Sequence, residues 1–179
     1  MDMIRVCDKE FKPYLGAAEI AKAVDTMAAR IEGDFRDKNP VFLVILNGAF
    51  MFAADLFKRM NFPCEISFVK LASYVGTTTS SQVHHLIGLK EDLRGRNVII
   101  VEDIVDTGLT LARLREQILE QVPADLRIAA LLFKPLAFRE RYKLDYTGFE
   151  IPNDFIIGYG LDYNGYGRNL PDIYQIGSE

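Results

Sequence analysis

Hydrophobic residues follow two different spacings along this chain. Between residues 16 and 35 they recur every three or four positions, which predicts an amphipathic helix with its apolar stripe in the core. The run at 41–46 is instead continuous, and a second continuous run, at 98–101, is β-branched. Residues 126–133 form another apolar run, and 65–71 and 155–157 are further strand candidates. Continuous runs of this length predict strands that are buried on both faces of a parallel sheet.

Helical patterns alternate with these strands. They lie at 16–35, from the turn at 47–49 to residue 60, and over 109–121. The alternation predicts one α/β domain over residues 1–179, with an open, mostly parallel sheet of about five strands and helices on both faces. We expect 136–150 to be a charged excursion. Residues 1–15, interrupted by Pro13, and about 148–179 are expected to form a small hood over a core of about 16–147. A ligand would bind in the cleft between them.

Charge and cysteine content narrow the function classes. The formal net charge is −4, which argues against broad nucleic-acid binding because that function needs a basic surface. There is no apolar run of 18 residues and no apolar signal core near the start, so we expect no membrane helix. Cys7 and Cys64 lack the spacing of a metal site or a disulfide framework. We therefore expect a cytoplasmic protein.

A strand, a small-residue turn and a helix start follow one another between residues 98 and 110. The apolar run ends at Glu102 and Asp103, and the turn Asp106-Thr107-Gly108 leads directly into the helical pattern that begins near Leu109. The first N–H groups of a helix lack partners within the helix, and its dipole favours negative charge there. The turn therefore predicts an anion site, to which two threonines would add hydroxyl donors.

The acidity of this stretch is unusual for a phosphate site. The lysine-containing P-loop pattern does not occur in the chain, and three carboxylates, Glu102, Asp103 and Asp106, lie within five residues. Because carboxylates and phosphates repel one another, we infer a divalent cation, best matched by Mg²⁺, that ligand oxygens also bind. Alternation along the strand would point Glu102 and Asp103 to opposite sides, unless the strand end bends. The alternative is an acidic turn that only caps the helix.

The sequence Val-Glu-Asp-Ile-Val-Asp-Thr-Gly-Leu-Thr, residues 101–110, resembles the phosphoribosyl-diphosphate signature of the type I phosphoribosyltransferases. It is especially similar to that of the hypoxanthine (hypoxanthine-guanine) phosphoribosyltransferases, which bind a ribose 5-phosphate 1-diphosphate with Mg²⁺. The resemblance implies that Glu102 and Asp103 contact the ribose hydroxyls and the metal, and that Ile104 contacts the purine. Asp106 would lie near the purine N7 as the catalytic group. The 5-phosphate would be held by Asp106, Thr107, Gly108, Leu109 and Thr110.

Two other segments resemble diphosphate-binding parts of this family. The strand at 41–46 ends at the position of the family's diphosphate loop, which implies contacts from Leu46, Asn47 and Gly48. The family often has lysine where this chain has Asn47, and a cis peptide before it, so we expect backbone donation without a side-chain ion pair. A plain turn is the alternative. Ser73 and Tyr74 begin a polar stretch that resembles the loop closing over the diphosphate, which would exclude water.

Later strand ends resemble the family's base-binding segments. Lys134 would donate to the O6 of a 6-oxopurine and so reject adenine. Phe155 would stack on the purine, and Ile156 would bind its edge through the backbone. Asp162 would contact the purine side of the site and bind a second Mg²⁺, while the planar guanidinium of Arg168 would pair with the diphosphate. Taken singly, Lys134 also fits an exposed strand end and Phe155 a core residue.

These observations predict a purine salvage transferase. It would use phosphoribosyl diphosphate, a 6-oxopurine base and Mg²⁺, without nucleic acid or membrane partners, and the family's habit implies a homodimer or homotetramer. A nucleotide-sensing regulator on the same fold would bind the sugar diphosphate without turnover. A third interpretation keeps the reaction and changes the base to xanthine, orotate or uracil.

Overall fold

This computed structural model describes residues 2–72, 84–87 and 91–177. These ranges contain ten strands and three helices. The strands are β1 (Ile4–Val6), β2 (Lys9–Leu15), β3 (Val41–Leu46), β4 (Glu65–Ala72), β5 (His84–Ile87), β6 (Asn97–Val105), β7 (Asp125–Phe133), β8 (Tyr146–Glu150), β9 (Ile156–Ile157) and β10 (Ile173–Ile176). The helices are α1 (Ala17–Phe35), α2 (Phe50–Phe57) and α3 (Leu109–Glu120).

The large sheet has the strand order β5-β4-β3-β6-β7-β8. The five strands from β4 to β8 in this order run parallel, and β5 joins the edge antiparallel. Helices α1 and α2 pack on one face and α3 packs on the other. The prediction of an open, mostly parallel sheet with helices on both faces is confirmed. Since parallel strands end at the same edge, the residues that follow β3, β6 and β7 lie near one another.

The apolar stripe of α1 faces the sheet, as its spacing predicts. All six stripe residues are buried: Ile20, Val24, Met27, Ala28, Ile31 and Phe35. At its start, the Gly16 N–H donates to the Glu19 carboxylate at 2.9 Å, an arrangement that stabilises helix N-termini. The helical pattern over 109–121 predicts an inner face of Leu111, Leu114, Ile118 and Leu119. The first three are buried in α3, but Leu119 is 41% exposed. Leu119 directly follows the buried Ile118, and neighbouring residues on a helix do not share a face.

Two elements differ from the predicted pattern. Strand β6 does not end at Glu102 and Asp103 but continues through both to Val105, still paired with β7. Strand β8 lies where we expected a charged excursion, and it pairs with β7 as the last strand of the sheet. An edge strand has a neighbouring strand on one side only and is less buried, so it does not need the continuous apolar run of a central strand. The predicted boundary between core and hood, near residue 148, falls inside β8.

A second, antiparallel sheet joins the two ends of the described chain, in the order β1-β2-β10-β9. Phe11, Ile157 and Tyr174 form its buried cluster. The predicted interruption at Pro13 is wrong, since β2 continues through it. Strand β1 pairs only with residues 9–11 and leaves one side of Pro13 without a strand neighbour, where proline is tolerated. The extent of the hood stays a prediction. None of the helices within the described ranges is both long and apolar enough to cross a membrane.

Candidate active site

A cavity of about 360 Å³ lies at the carboxyl edge of the large sheet, beside the small sheet. Its lining comes from four separate parts of the chain: the turn after β3, the end of β6, the end of β7, and the segment around and after β9. The lining residues are Gly48, Asp103, Ile104, Asp106, Lys134, Phe155, Ile156, Leu161, Asp162 and Arg168. Nine of these ten residues are predicted from the sequence, and only Leu161 is not.

Asp103 is buried against Gly48. A Cβ on Gly48 would lie 1.6 Å from Oδ2 of Asp103, so glycine alone leaves room for this carboxylate. The Ile104 N–H donates to Asp103 Oδ1 at 2.8 Å. Burial raises the pKa of Asp103 to about 6, even though backbone N–H groups and Arg168 act in the opposite direction. A cation bound in the cavity would therefore stabilise the charged form of Asp103.

Glu102 lies outside the cavity lining. Its Oε2 is buried without a hydrogen-bond partner in the described part of the chain. Burial, followed by the charge of Asp103, raises the pKa of Glu102 well above its usual value. The alternation along β6 thus separates the two acidic residues, as the sequence predicts. Contact of Glu102 with the ribose or a metal stays a prediction.

The turn between β6 and α3 depends on Gly108. Its φ of +82° is left-handed, and a Cβ there would lie 2.6 Å from the Phe138 ring and 2.7 Å from the Tyr142 hydroxyl. That hydroxyl donates to the Gly108 carbonyl at 2.9 Å. No side chain caps the start of α3, and Ala112 is the residue whose N–H returns to the Gly108 carbonyl. The backbone donors at the helix start, which are predicted to bind a phosphate, are therefore free of a side-chain cap.

Lys134 and Asp106 face each other at the ends of adjacent strands. The Lys134 Nζ lies 3.5 Å from Asp106 Oδ2, and the side chain of Lys134 is 9% exposed whereas that of Asp106 is 53% exposed. The Lys134 N–H donates to the Val105 carbonyl at 2.9 Å, which continues the β6–β7 pairing by one residue. A buried ammonium group needs a partner. The pair places one positive donor and one proton acceptor side by side at the cavity wall.

The turn after β3 contacts the C-terminal segment through glycine. The Leu46–Asn47 peptide bond is cis, as the resemblance implies. Gly160 has a φ of +101°, and a Cβ on it would lie 2.0 Å from the Gly48 carbonyl oxygen. Gly48 is therefore enclosed by Asp103 on one side and by Gly160 on the other.

Asp162 and Arg168 form an ion pair at the cavity rim. Arg168 Nη2 lies 2.5 Å from Asp162 Oδ1, and its Nη1 donates to the Gly160 carbonyl at 2.6 Å. The other Asp162 oxygen accepts from the Gly165 N–H at 2.7 Å. Both carboxylate oxygens of Asp162 thus have partners, and the guanidinium is held by Asp162 and the Gly160 carbonyl in a cavity that Gly48 also lines.

Phe155 is the exposed aromatic group of the cavity. Its ring is 45% exposed and meets the Tyr163 ring edge-on, with centroids 5.8 Å apart and an interplanar angle of 78°. The Phe11 ring supports it at 6.4 Å. Ile156 is buried and pairs with Gln175 in the small sheet. A partly exposed aromatic ring that packs against neighbouring rings can stack on a planar base.

Sequence and structure comparisons identify the family. Residues 13–164 match the family described as Phosphoribosyl transferase domain. The chain belongs to the phosphoribosyl transferase family. A hypoxanthine-guanine phosphoribosyltransferase from Streptococcus pneumoniae is 42% identical over 156 residues, 87% of each chain. One from Aquifex aeolicus is 34% identical over 176 residues, covering 97% of this chain and 99% of the relative. A crystal structure of the Bacillus anthracis hypoxanthine-guanine phosphoribosyltransferase superposes with a TM-score of 0.87 at 35% identity, over 93% of this chain and 98% of that one.

For some residues that the resemblance assigns to this site, the binding role stays a prediction. Ser73 and Tyr74, assigned to the closing loop, lie outside the described residues. Five other predicted residues do not line the cavity, and their contacts stay predictions: Leu46, Asn47, Thr107, Leu109 and Thr110. In the described ranges, no three His, Cys, Asp or Glu side chains are grouped closely enough to hold a metal by themselves.

Two parts of the site are not predicted from the sequence. Leu161 lines the cavity next to Asp162, and Gly160 packs on Gly48. The signal for Gly160 is the sequence Gly158-Tyr159-Gly160, since closely spaced glycines indicate left-handed backbone or close approach. For Leu161 the only signal is its position between Gly160 and Asp162.

Proposed function

We propose that this chain transfers the 5-phosphoribosyl group from phosphoribosyl diphosphate to N9 of hypoxanthine or guanine, giving IMP or GMP and diphosphate. This is a purine salvage reaction. The observation that carries the proposal is the meeting of Lys134, Asp106 and Asp103 in one cavity of the fold. The relatives named as hypoxanthine-guanine phosphoribosyltransferases support the same reaction for this chain.

The base would lie between Phe155 and the Lys134–Asp106 pair. The Lys134 ammonium would donate to the purine O6, which adenine replaces with an amino group that cannot accept this bond. Asp106 would face the purine N7, and the backbone of Ile156 would bind the base edge. Ile104 and Leu161 supply apolar lining of the same cavity. Selection for a 6-oxopurine follows, because a mismatched base leaves the buried ammonium without a ligand acceptor.

The 5-phosphate would bind at the start of α3. The first N–H groups of a helix lack partners within it and the helix dipole favours an anion there, and no side chain caps the start of α3. The hydroxyls of Thr107 and Thr110 can add donors. Asp103 lies in β6, shortly before this turn, and packs against Gly48 at the cavity. It would therefore face the ribose hydroxyls.

The carboxylates of the cavity fit Mg²⁺ that is bound together with substrate. Magnesium sites often use one or two carboxylates and complete their coordination with water and substrate phosphates. Asp103 is a buried carboxylate whose charge is opposed by its surroundings, and Asp162 shares its cavity. We propose Asp103 on the ribose side and Asp162 on the diphosphate side, with Glu102 as a further candidate. When bound, Mg²⁺ would neutralise charge on the departing diphosphate.

Two side chains would act directly in the reaction. As N9 attacks C1 of the ribose, positive charge grows on the sugar and negative charge on the leaving diphosphate. Arg168 would stabilise the diphosphate, because its guanidinium lies in the cavity that Gly48 also lines and planar guanidinium groups bind phosphate oxygens in pairs. Asp106 would exchange a proton with the purine N7, a contribution of about 10²–10⁴-fold in rate for a general acid or base.

The direct test is a panel assay of the purified chain. Hypoxanthine, guanine, xanthine, adenine and orotate are each supplied with phosphoribosyl diphosphate and Mg²⁺, and diphosphate release is measured. We expect turnover with hypoxanthine and guanine, loss of turnover in EDTA and recovery with Mg²⁺. Xanthine is included because a Tritrichomonas foetus relative, 38% identical over 157 residues, is named hypoxanthine-guanine-xanthine phosphoribosyltransferase. Release with none of the bases would favour a sensor that binds the sugar diphosphate without turnover.

The assembly and location of the protein are also proposals. We propose a homodimer or homotetramer in the cytoplasm, without nucleic-acid or membrane partners. Light scattering at several protein concentrations would establish the number of subunits, and cell fractionation would establish the location.

A further inference from the structure

A hydrogen bond between two side chains connects the segment after β9 to α2. The Tyr159 hydroxyl donates to Asp55 Oδ2 at 2.7 Å, and Tyr159 is 6% exposed. Asp55 lies in α2, the helix that begins directly after the turn at 46–49. The other Asp55 oxygen pairs with Lys58 Nζ at 2.8 Å. The contact therefore joins two elements that each lead into the diphosphate side of the cavity.

The backbone next to Tyr159 carries this attachment to the site. Gly160, the following residue, lies against the Gly48 carbonyl, where a Cβ would approach to 2.0 Å. The Gly160 N–H donates to the Arg168 carbonyl at 2.9 Å, and the Gly160 carbonyl accepts from Arg168 Nη1 at 2.6 Å. A shift of Tyr159 would thus move Gly160 relative to Gly48 and Arg168 together.

We propose that Tyr159 and Asp55 are positioning residues for the diphosphate end of the substrate. Their hydrogen bond fixes the separation between the Gly48 turn and the Arg168 guanidinium, without touching the substrate. The inference rests on the proposed function in assigning these two groups to the diphosphate. It predicts that loss of the bond weakens binding of phosphoribosyl diphosphate and leaves the purine end of the cavity unchanged.

The chain provides a matched control for this test. Tyr146 is also buried, and its hydroxyl donates to an aspartate of a helix, Asp34 Oδ2 in α1, at 2.6 Å. Neither residue lines the cavity. Tyr159→Phe and Tyr146→Phe therefore each remove one hydroxyl and one hydrogen bond of the same kind, and only the first is attached to Gly160. A purely structural role would give the two variants the same effects.

The experiment measures binding and kinetics of the full chain with Mg²⁺. Calorimetry gives the Kd for phosphoribosyl diphosphate of wild type, Tyr159→Phe, Tyr146→Phe and Asp55→Asn, and thermal unfolding compares their stability. We expect Tyr159→Phe to raise that Kd, and the KM for this substrate, about tenfold, the scale of one lost charged hydrogen bond. The KM for hypoxanthine should stay within about twofold. Asp55→Asn keeps an acceptor oxygen and should retain most of the affinity.

The outcomes separate this inference from the proposed reaction. An unchanged Kd in Tyr159→Phe, or an equal increase in Tyr146→Phe, would overturn the positioning role whatever the turnover of the wild type. An equal increase in the KM for hypoxanthine would also overturn it. If the wild type binds the sugar diphosphate but turns over none of the bases, the reaction fails while the Kd comparison still tests the positioning role. Wild-type protein that does not bind the sugar diphosphate overturns both.

Discussion

Gly48 and Asp103 occupy positions that exclude any side chain at residue 48. The distance from a Cβ on Gly48 to Asp103 Oδ2 would be 1.6 Å. The two residues come from the ends of the adjacent parallel strands β3 and β6, which pair from Val41 and Val98 onwards. The contact therefore connects the proposed diphosphate turn with the proposed ribose-binding carboxylate. It also makes the geometry of one sensitive to any change in the other.

Gly48→Ala should impair both stability and activity. Asp103 is buried and short, so its carboxylate cannot move aside cheaply, and overpacking of this kind costs about 1–3 kcal/mol. The displaced carboxylate would leave its Ile104 N–H partner. We expect a lower free energy of unfolding in urea and a kcat/KM for phosphoribosyl diphosphate lower by at least about tenfold.

Gly33→Ala is the matched control for this substitution. Gly33 lies in α1, and nothing lies within 4 Å of a Cβ built there. Alanine is a better helix former than glycine, so this variant should gain roughly 0.5–1 kcal/mol of stability with unchanged kinetics. Equal effects of the two substitutions would show that the contact with Asp103 is unimportant.

Asp106→Asn should reduce turnover and preserve the fold. Its side chain is 53% exposed, so little packing is lost, and an amide oxygen can still accept from Lys134. The amide cannot exchange a proton with the purine N7. We expect kcat to fall about 10²–10⁴-fold, with thermal unfolding close to that of wild type. Steady-state kinetics with hypoxanthine measure this, and unchanged kcat would remove Asp106 from the chemistry.

Lys134→Met should weaken the preference for hypoxanthine over adenine. Methionine keeps much of the apolar stem and removes the ammonium that would donate to O6. Loss of one charged hydrogen bond predicts a fall of roughly 10–100-fold in the ratio of the two kcat/KM values. Lys143→Met, at an exposed position outside the cavity, is the control. A ratio that is the same in both variants and in wild type would contradict the assignment.

The sequence predicts the central sheet better than its margins. The stripe of α1 and most residues of β3 and β7 are buried, so their hydrophobic pattern directly reflects the structure. Strand β8 is an edge strand with partly exposed residues, and its composition does not separate it from a loop. The extension of β6 through Glu102 and Asp103 is missed because charged residues usually end a buried strand.

The same distinction applies to the candidate site. Residues that belong to the recognised motifs, such as Asp106, Lys134 and Arg168, are found together in the cavity. The contacts that hold them, from Tyr142 to Gly108 and from Tyr159 to Asp55, join positions that are 34 and 104 residues apart. A single sequence gives no signal for such pairs, because each tyrosine is compatible with an ordinary core position.

In the metal-free protein, the contribution of Asp103 to stability should fall as the pH rises from about 4 to about 6. Burial, the main cause, raises the pKa of Asp103 to about 6 from an ordinary value of 3.8. The native state therefore keeps a proton in this range that the unfolded chain has lost. Stability rises with pH only where the unfolded state binds more protons, so here it decreases. The stabilising contribution is fully present below about pH 4 and is lost above about pH 6, and Glu102 acts in the same direction.

Asp103→Asn isolates this contribution. The amide is neutral at every pH and its oxygen can still accept from the Ile104 N–H. A pKa difference of about two corresponds to about 3 kcal/mol, so the variant should be more stable than wild type at pH 7 and lose that advantage near pH 4. Urea unfolding in EDTA at both pH values measures the difference. Parallel profiles would contradict it, since they would mean that Asp103 is not titrating in a buried environment.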